Sequence, residues 1–397
     1  MRPTTLAFTA ERAAVALAPR SADAYLQLGS RLELASQAVN TAGALAETRP
    51  AQAAEAELAY RMAVRLDPTN AEGFYQFGMS LRAFGPSRSA EAVALLETAA
   101  IIEPDHAGVA STVGYYMLAS GASGRRRGLA ILARRVSAGV WPPGRWQHPA
   151  EYFDIVPKAP LVHPRAPYAC LLSPLERAAP AMGAEAMTTL PQYSIQREGL
   201  ARPHGGWREL DVWLRCGLAS YRRSGGAGTG TVPPELVQTC ATLRMVKESY
   251  AFVQGALFSA IAPGTTLDPH CGPTNGRLVL HVGLKVPHPG RARLRLGRPS
   301  ALDSPADRAL LRQLGFEGSE PKEVAWAEGH GFVWEDSTCH EVLWRANGAP
   351  GSGAVDAPPA SSFAGNFTLA EPRIILLLLL LHPAMTRVPV CASTERS

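Results

Sequence analysis

The spacing of apolar residues divides the chain into a helical first third and a strand-rich last part. Before about residue 121, Ala- and Leu-rich segments repeat apolar residues with the period of an amphipathic helix. From Ala251 onward the period shortens to that of strands, and glycine and proline separate the apolar runs. The pattern therefore predicts an α+β chain with more than one domain. The predicted strands are Phe252–Ile261, Arg277–Val286, Arg291–Leu296, Gly331–Trp334, Val342–Trp344 and Ile374–Leu381.

The helical part contains an internal repeat. The distance along the chain from Pro68 to Pro104 equals that from Gly78 to Gly114, which indicates a repeated unit. An earlier copy of this unit contains Gly29. In tetratricopeptide units small residues let two helices approach closely, and proline ends the second helix. The packing positions of such a unit match Phe74, Phe77, Gly78, Leu81, Ala92, Leu96, Ala99 and Pro104. We expect a tetratricopeptide-like array over residues 1–121, with other helical hairpins as the alternative.

The remaining chain is divided by composition. Residues 122–190 are rich in proline, histidine and aromatic residues, which indicates a connecting segment. Residues 191–385 form the predicted strand domain, and several short strands between turn signals favour a double-sheet jelly roll or barrel. An Ala/Gly/Pro/Ser-rich stretch at 347–372 is predicted to be a flexible insert, and residues 386–397 a tail.

Composition excludes several classes of protein. A chain of 397 residues with 46% apolar and 18% charged residues is typical of a folded globular protein with two or three domains. The net charge of +5 is mild, and the basic residues form only short clusters. Without a long basic stripe that carries aromatic residues, a nucleic-acid partner is not expected.

The cysteines and the first residues bear on the compartment. None of the six cysteines forms a CxxC pair, which argues against a structural zinc site. Six scattered cysteines do not specify a disulfide framework and are compatible with a reducing compartment. Met1–Ala10 lacks the apolar core of a secretory signal, and the longest apolar run, Ile374–Leu381, is too short for a membrane helix. We therefore expect no visible transmembrane anchor and favour a cytoplasmic location.

Two short stretches carry the candidate chemistry. Residues 268–275 and 335–342 each place one histidine, His270 and His340, among turn or strand residues. Arg373 follows at the head of an apolar strand. Imidazole suits Fe(II), open coordination positions admit O₂ and substrate, and an arginine fork binds a carboxylate. These residues indicate a non-haem iron site with a dicarboxylate co-substrate.

The order of these residues resembles the aspartyl/asparaginyl β-hydroxylase family. The resemblance covers roughly Pro191 to Met385, and animal-type members also carry tetratricopeptide repeats before the catalytic domain. Its motifs are Ser259-x3-Pro263-Gly264-Thr265, His270-x-Gly272-Pro273-Thr274-Asn275-x-Arg277, His281-x-Gly283, Asp336-Ser337-x2-His340-Glu341-Val342, and Arg373 followed by His382-Pro383.

This resemblance implies an Fe(II)- and 2-oxoglutarate-dependent dioxygenase on a double-stranded β-helix. Such enzymes use O₂ to convert 2-oxoglutarate to succinate and CO₂ while they hydroxylate a substrate. By position, His270 and His340 match the metal ligands, and His281 matches a histidine beside the metal-proximal end of 2-oxoglutarate. The matches for the far carboxylate of the co-substrate are Ser259 and Arg373. Arg277 matches a basic residue on the substrate side.

Four positions bear on this resemblance. Gly272 stands where many dioxygenases of this fold carry a carboxylate ligand, and the family has a site of two histidines there. Asp268 and Asp336 lie close enough in sequence to reach the metal, directly or through water. Val279 replaces an arginine that helps to bind 2-oxoglutarate in the animal enzymes, which favours weaker co-substrate binding.

Three functions remain open at this point. The first is hydroxylation of the β-carbon of Asp or Asn side chains in a polypeptide substrate that the helical repeats present. The second is hydroxylation of a fatty-acyl lipid, because lipid-hydroxylating relatives share the motifs but lack the repeats. The third is a non-catalytic repeat scaffold with a relic hydroxylase domain. Animal relatives act in the endoplasmic reticulum, so the resemblance makes that compartment an alternative to the cytoplasm.

Overall fold

The structure, a computed structural model, consists of a helical region followed by a domain of antiparallel sheets, as the α+β pattern predicts. The predicted insert at 347–372 lies almost entirely outside the described residues, and the final part of the predicted tail lies outside them too. The residues described are 9–38, 49–83, 88–119, 121–156, 161–195, 200–202, 206–218, 232–287, 289–314, 316, 320–344 and 371–391.

The helices of the first region pair in sequence order. They are α1 (Thr9–Leu17), α2 (Ala22–Ala38), α3 (Arg49–Leu66), α4 (Ala71–Ala83), α5 (Ser89–Ile102), α6 (Ala107–Leu118) and α7 (Gly121–Ser137). Helix α2 packs against α3, α4 against α5, and α6 against α7. Each pair is thus a helical hairpin, whereas membership of the tetratricopeptide class stays a prediction.

A glycine at the contact lets each pair of helices approach closely. An added Cβ at Gly29 would lie 3.0 Å from the Tyr60 ring, and one at Gly78 would lie 2.7 Å from Leu96. Gly114 has the same relation to Leu132, again at 2.7 Å. Any larger residue would push the paired helices apart, so the repeated glycines of the sequence have one packing role in all three hairpins.

Two antiparallel sheets form the second domain. The larger sheet has the order β1-β3-β4-β11-β6-β9, and the smaller sheet has the order β2-β5-β10-β7-β8. Apolar side chains from both sheets meet in one core, so the sheets pack face to face. This agrees with the predicted sheet domain, while the double-stranded β-helix itself stays a prediction. The strands are β1 (Ser194–Ile195), β2 (Ala201–Arg202), β3 (Trp207–Asp211), β4 (Val253–Ile261), β5 (Thr266–His270), β6 (Arg277–Lys285), β7 (Ala292–Leu296), β8 (Lys322–Ala325), β9 (Gly331–Trp334), β10 (His340–Trp344) and β11 (Arg373–Leu381).

Helices cover the outer face of the larger sheet. The long helix α8 (Ala169–Thr189) packs against β6 and buries its apolar face in the same core as β4 and β11. The sequence pattern placed this helix in the connecting segment, although in the fold it packs against the sheet. The other helices of this part are α9 (Val212–Arg215), α10 (Val237–Ser249), α11 (Pro305–Gln313) and α12 (Pro383–Thr386).

The helical region also packs against the smaller sheet. Tyr115 and Leu118 of α6 and Leu132 of α7 share a buried cluster with Leu311 of α11 and with Cys339, which precedes β10. The two parts of the chain therefore have a common core. This contact brings α6 next to the ends of β5 and β10, where the candidate site lies.

Four of the six cysteines are paired. Cys170 is bonded to Cys391, and Cys216 to Cys240. The partners are far apart in sequence, so their spacing could not identify them. The cysteine pattern alone was compatible with a reducing compartment. Disulfides persist in oxidising compartments, so this finding does not favour a reducing one. Separately, no helix within the described ranges combines the length and apolar character that a membrane span requires.

Candidate active site

A cavity of about 290 Å³ opens between the two sheets. The structure brings all six side chains singled out in the sequence to this cavity, from five different strands. They are Ser259 on β4, His270 on β5, Arg277 and His281 on β6, His340 on β10 and Arg373 on β11. Because all six side chains line one cavity, they can contact the same ligand.

His270 and His340 face each other at the end of the β5–β10 ladder. They are direct partners in the strand register, and their ring centroids are 4.0 Å apart. The Nδ1 atom of His270 donates to the Asp268 carbonyl at 2.8 Å, and that of His340 donates to the Thr338 carbonyl at 2.9 Å. Because Nδ1 carries the proton in both rings, Nε2 is the nitrogen suited to coordination, as in metal-binding histidines generally.

Asp336 occupies the space beside Gly272. A Cβ at position 272 would overlap the Asp336 carboxylate, and Gly272 N donates to the Asp336 carbonyl at 2.7 Å. The carboxylate is ion-paired with Arg277, and its Oδ1 lies 3.9 Å from His340 Nε2. Burial alone would raise the pKa of Asp336, but the Arg277 and imidazole charges outweigh burial and lower it. The acid is therefore ionised and held close to the two imidazoles.

The other acid considered, Asp268, has a separate partner. Its Oδ2 lies 2.7 Å from Nη2 of Arg202 on the neighbouring strand β2. Within the described ranges no three His, Cys, Asp or Glu side chains converge on a common metal position. The residues that fit a metal here are accordingly the two imidazoles, with Asp336 as the acid beside them.

Among the described residues, Arg373 is a buried cation without an anionic partner. Its guanidinium lies 4.1 Å from the centroid of the Trp326 ring, and only 3% of the residue is exposed. Two of its nitrogens, Nε and Nη1, contact no hydrogen-bond acceptor in this part of the chain. Burial lowers the pKa of Arg373 to about 9. A buried charge of this kind is costly unless an anion pairs with it, so the site fits a carboxylate.

Ser259 and His281 lie on the strands that flank Arg373. Ser259 is held by Trp207, whose Nε1 donates to its Oγ at 2.9 Å. His281 accepts at Nδ1 from Trp326 Nε1 at 3.3 Å, and its Nε2 has no partner. Burial, and then the Arg373 charge, lower the pKa of His281 well below its usual value. This imidazole is neutral and can donate one hydrogen bond to a ligand.

Part of the cavity wall is apolar. Val279, Leu257, Leu377 and Leu379 line it, with Glu209 on β3 as a polar neighbour. Val279 gives this wall an aliphatic side chain. A ligand carboxylate there has Arg373 as its cation, since the other arginine that lines the cavity, Arg277, is already paired with Asp336.

A second, smaller cleft connects the site to the helical region. It has a volume of about 150 Å³ and is lined by His270 and Cys271 on one side. Met79 of α4 and Ser111, Thr112 and Tyr115 of α6 line the other side. His270 therefore borders both cavities.

Several residues of the site had no signal in the sequence analysis. Trp326 and Trp334 are both buried, and the ring of Trp326 also packs against the Arg373 guanidinium. Trp207 orients Ser259, and Tyr115 comes from the helical region. Strand alternation could have placed Trp207 opposite Ile261, whereas the contacts of Trp326 and Tyr115 depend on the tertiary fold.

Comparison with known proteins identifies the domain. The sequence profile described as aspartyl/asparaginyl β-hydroxylase matches residues 180–349. Aspartate β-hydroxylase domain-containing protein 1 of Mus musculus is 30% identical over 126 residues, which are 32% of this chain and 22% of the relative. Human aspartyl/asparaginyl β-hydroxylase is 27% identical over 186 residues, 47% of this chain and 17% of the relative.

A third relative has a similar degree of identity and coverage. Aspartate β-hydroxylase domain-containing protein 2 of Xenopus tropicalis is 25% identical over 158 residues, which are 38% of this chain and 30% of the relative. The chain thus spans less than a third of the length of each of these relatives. The matched segment contains both histidines of the β5–β10 ladder and most of the cavity wall. Over residues 180–349 the predicted resemblance to the aspartyl/asparaginyl β-hydroxylase family is therefore confirmed.

Proposed function

We propose that this protein is an Fe(II)- and 2-oxoglutarate-dependent dioxygenase that hydroxylates the β-carbon of Asp or Asn side chains in a polypeptide. The observation that carries the proposal is the buried, unpartnered guanidinium of Arg373 in the same cavity as the facing imidazoles of His270 and His340. Two imidazoles suit Fe(II), and a fixed arginine fork suits a carboxylate. Family membership supports hydroxylation in general terms.

Each residue has a defined part in this proposal. His270 and His340 hold the iron through Nε2, and bound iron supplies the chemistry that activates O₂. Arg373 pairs with the far carboxylate of 2-oxoglutarate, with the Ser259 hydroxyl beside it on the neighbouring strand. His281, neutral and buried, donates from Nε2 to the metal-proximal end of the co-substrate. Because these side chains are buried, they exclude water from the carboxylate and strengthen its pairing.

Arg277 and Asp336 have a positioning role towards the substrate. Their ion pair lines the same cavity as the imidazoles, with Asp336 beside Gly272. Asp336 is ionised and can orient water or a substrate amide near the imidazoles, while Arg277 keeps that carboxylate in place. A substrate carboxylate can share the Arg277 guanidinium, which agrees with an Asp side chain as the group presented.

A polypeptide substrate is supported by the cleft next to the helical region. Hydroxyl groups of Ser111 and Thr112 border it, and the same cleft exposes His270. These hydroxyls can hydrogen-bond the backbone of an extended chain while one of its side chains enters the larger cavity. A lipid would have no comparable use for such groups, so the polypeptide is the favoured class.

The direct test is turnover by the full-length protein with Fe(II), 2-oxoglutarate and labelled O₂. We expect succinate that contains one labelled oxygen atom and Asp- or Asn-containing peptides that contain the other. His330→Ala is the matched control, because His330 is an exposed histidine of the same domain and does not line the cavity. Succinate formation that is unchanged in His270→Ala would refute the proposed iron site. Hydroxylation of fatty-acyl lipids with no reaction on peptides would show that the substrate is a lipid and not a polypeptide.

A further inference from the structure

Two cysteines lie directly behind the proposed metal ligands. His270 and His340 are partners in the strand register, and Cys271 and Cys339 are the next residues of the two chain segments beyond that pair. Side chains alternate between the two faces along a strand. The imidazoles therefore face the cavity, whereas both cysteines join the buried cluster that contains Tyr115 of the helical region.

The two cysteines pack in the same cluster. Cys339 and Tyr115 are buried members of it, and Cys271 packs against it. A disulfide requires Cα atoms about 4.4–6.8 Å apart. Residues that face each other across an antiparallel pair lie about 4.5–5.5 Å apart, so the neighbouring His270–His340 pair places both cysteines in the range that favours a bond. In contrast to the four paired cysteines, both are free thiols.

The two thiols differ in their access to solvent. Cys339 is fully buried, whereas Cys271 is partly exposed and lines both the 290 Å³ cavity and the 150 Å³ cleft. A small oxidant that enters either space reaches Cys271 first. Cys339 is then the only described free cysteine next to it that can complete a disulfide.

We propose that Cys271 and Cys339 form a thiol modification site that reacts with a hydroperoxide and closes as a disulfide behind the two imidazoles. The Cys271 sulfur attacks the outer oxygen of the hydroperoxide, an S–O bond forms, the O–O bond breaks, and an alcohol or water leaves with one proton. The Cys339 sulfur then attacks Cys271, the S–S bond forms, and the S–O oxygen leaves as water with the second thiol proton. Two thiols are oxidised and one hydroperoxide is reduced.

Closure of this disulfide has two consequences. It removes both thiol hydrogens from the buried cluster that contains Tyr115, and it protects Cys271 from further oxidation to the sulfinic acid, which thiols do not reverse. The site goes beyond the proposed hydroxylase function, because the reaction requires neither iron nor 2-oxoglutarate. Its test is therefore independent of that function.

The test is a titration of the full-length, chelator-treated protein with hydrogen peroxide, followed by digestion without reduction and mass spectrometry. We expect a linked pair of peptides that contain Cys271 and Cys339, lighter by two hydrogen atoms than the free pair. The Cys170–Cys391 and Cys216–Cys240 peptides serve as internal controls and should not change. In Cys339→Ser, Cys271 should instead accumulate as the sulfinic acid, at least several-fold more than in the wild type.

The linked peptide is measured on the wild-type protein, so this result does not depend on whether a variant folds. Sulfinic acid at Cys271 without the linked peptide would overturn the proposal. So would the absence of any reaction at either cysteine over the range of peroxide that oxidises an exposed thiol peptide.

Discussion

The rings of His270 and His340 lie 4.0 Å apart, centroid to centroid, and each donates from Nδ1 to the backbone carbonyl two residues before it. This shared local geometry turns both rings in the same sense, so that Nε2 is the coordinating nitrogen in each. The strand register brings the residues together, and the hydrogen bonds orient them. Metal affinity in this protein should therefore depend on the backbone of β5 and β10 as well as on the imidazoles.

The unpartnered charge of Arg373 should lower the stability of the ligand-free protein. We expect Arg373→Met to raise its free energy of unfolding by about 1 kcal/mol or more, because an aliphatic side chain replaces a buried cation without an anion. The same variant should bind 2-oxoglutarate roughly a hundredfold more weakly, since charged hydrogen bonds contribute about 1.5–3 kcal/mol each. Thermal denaturation with and without 2-oxoglutarate measures both effects.

Arg277→Met is the matched control for this prediction. Arg277 lines the same cavity but is already paired with Asp336. Its loss should destabilise the protein, because it leaves the Asp336 carboxylate buried without its partner. If both arginine variants lost stability equally, Arg373 would have a partner that the site geometry does not contain.

Gly272 and Asp336 should behave as one unit. Since a Cβ at 272 overlaps the Asp336 carboxylate, we expect Gly272→Ala to destabilise the protein by about 1–3 kcal/mol and to weaken metal binding. The double variant Gly272→Asp/Asp336→Gly should recover both properties at least in part, because one carboxylate again fills that space. The measurement is Co(II) affinity by calorimetry, together with urea unfolding. A neutral Gly272→Ala would show that Asp336 is not fixed in this position.

Glu335 should make stability depend on pH. Burial raises the pKa of Glu335 to about 7, and the nearby Arg145 charge and the Gln147 hydrogen bond only partly oppose this shift. The folded state therefore holds this proton more tightly than the unfolded state, in which a glutamate has a pKa of about 4.3. This stabilising contribution is complete below about pH 4, falls as pH rises, and is lost above about pH 7; it amounts to roughly 3 kcal/mol.

The corresponding variant is Glu335→Gln, which stays neutral and can still accept from Gln147. From pH 5 to pH 8 the free energy of unfolding of the wild type should fall relative to that of this variant. Urea unfolding at pH 5 and at pH 8 measures the difference. Exposed Glu248→Gln is the control and should show no such difference from the wild type. Parallel pH profiles for wild type and Glu335→Gln would contradict the assignment.

The cleft between α6 and β5 should control access of a polypeptide. Thr112→Arg places a long side chain in a space of about 150 Å³. We expect the KM for a peptide substrate to rise by about tenfold or more, which corresponds to roughly 1.4 kcal/mol. Turnover of 2-oxoglutarate without peptide should stay unchanged. The control is Ile101→Arg, which lies in the same helical region and is 77% exposed. Equal effects of both variants would rule out the cleft as the entry route.

Much of this architecture could be predicted from the sequence, for physical reasons that can be stated. The helical and strand periods separate the two parts, and strands such as β4, β6 and β11 are long apolar runs that leave little choice of element. The ordered motif selected His270 and His340, which the structure places at the ends of paired strands beside one cavity, while their roles stay a prediction. Short strands such as β5, which contains a proline, had no comparable signal.

Other features depend on long-range contacts that no local pattern reports. The pairing of Cys170 with Cys391 follows from the packing of α8 beside the chain after β11. Trp326 meets Arg373 only because strands of the larger sheet and the β8–β9 connection converge on one cavity. Tyr115 reaches the back of the site through packing between the helical region and the smaller sheet. Each of these residues was visible in the sequence, but its partner was not.

The most direct test of the central claim is anaerobic binding of Fe(II) and 2-oxoglutarate to the full-length protein by calorimetry. We predict one Fe(II) per chain, tighter 2-oxoglutarate binding in its presence, and a loss of metal affinity beyond about a hundredfold in His270→Ala and in His340→Ala, since even loss of an outer hydrogen-bond partner costs 10- to 100-fold. His330→Ala should bind as the wild type does. Full metal stoichiometry and affinity in either cavity variant would contradict the proposed iron site.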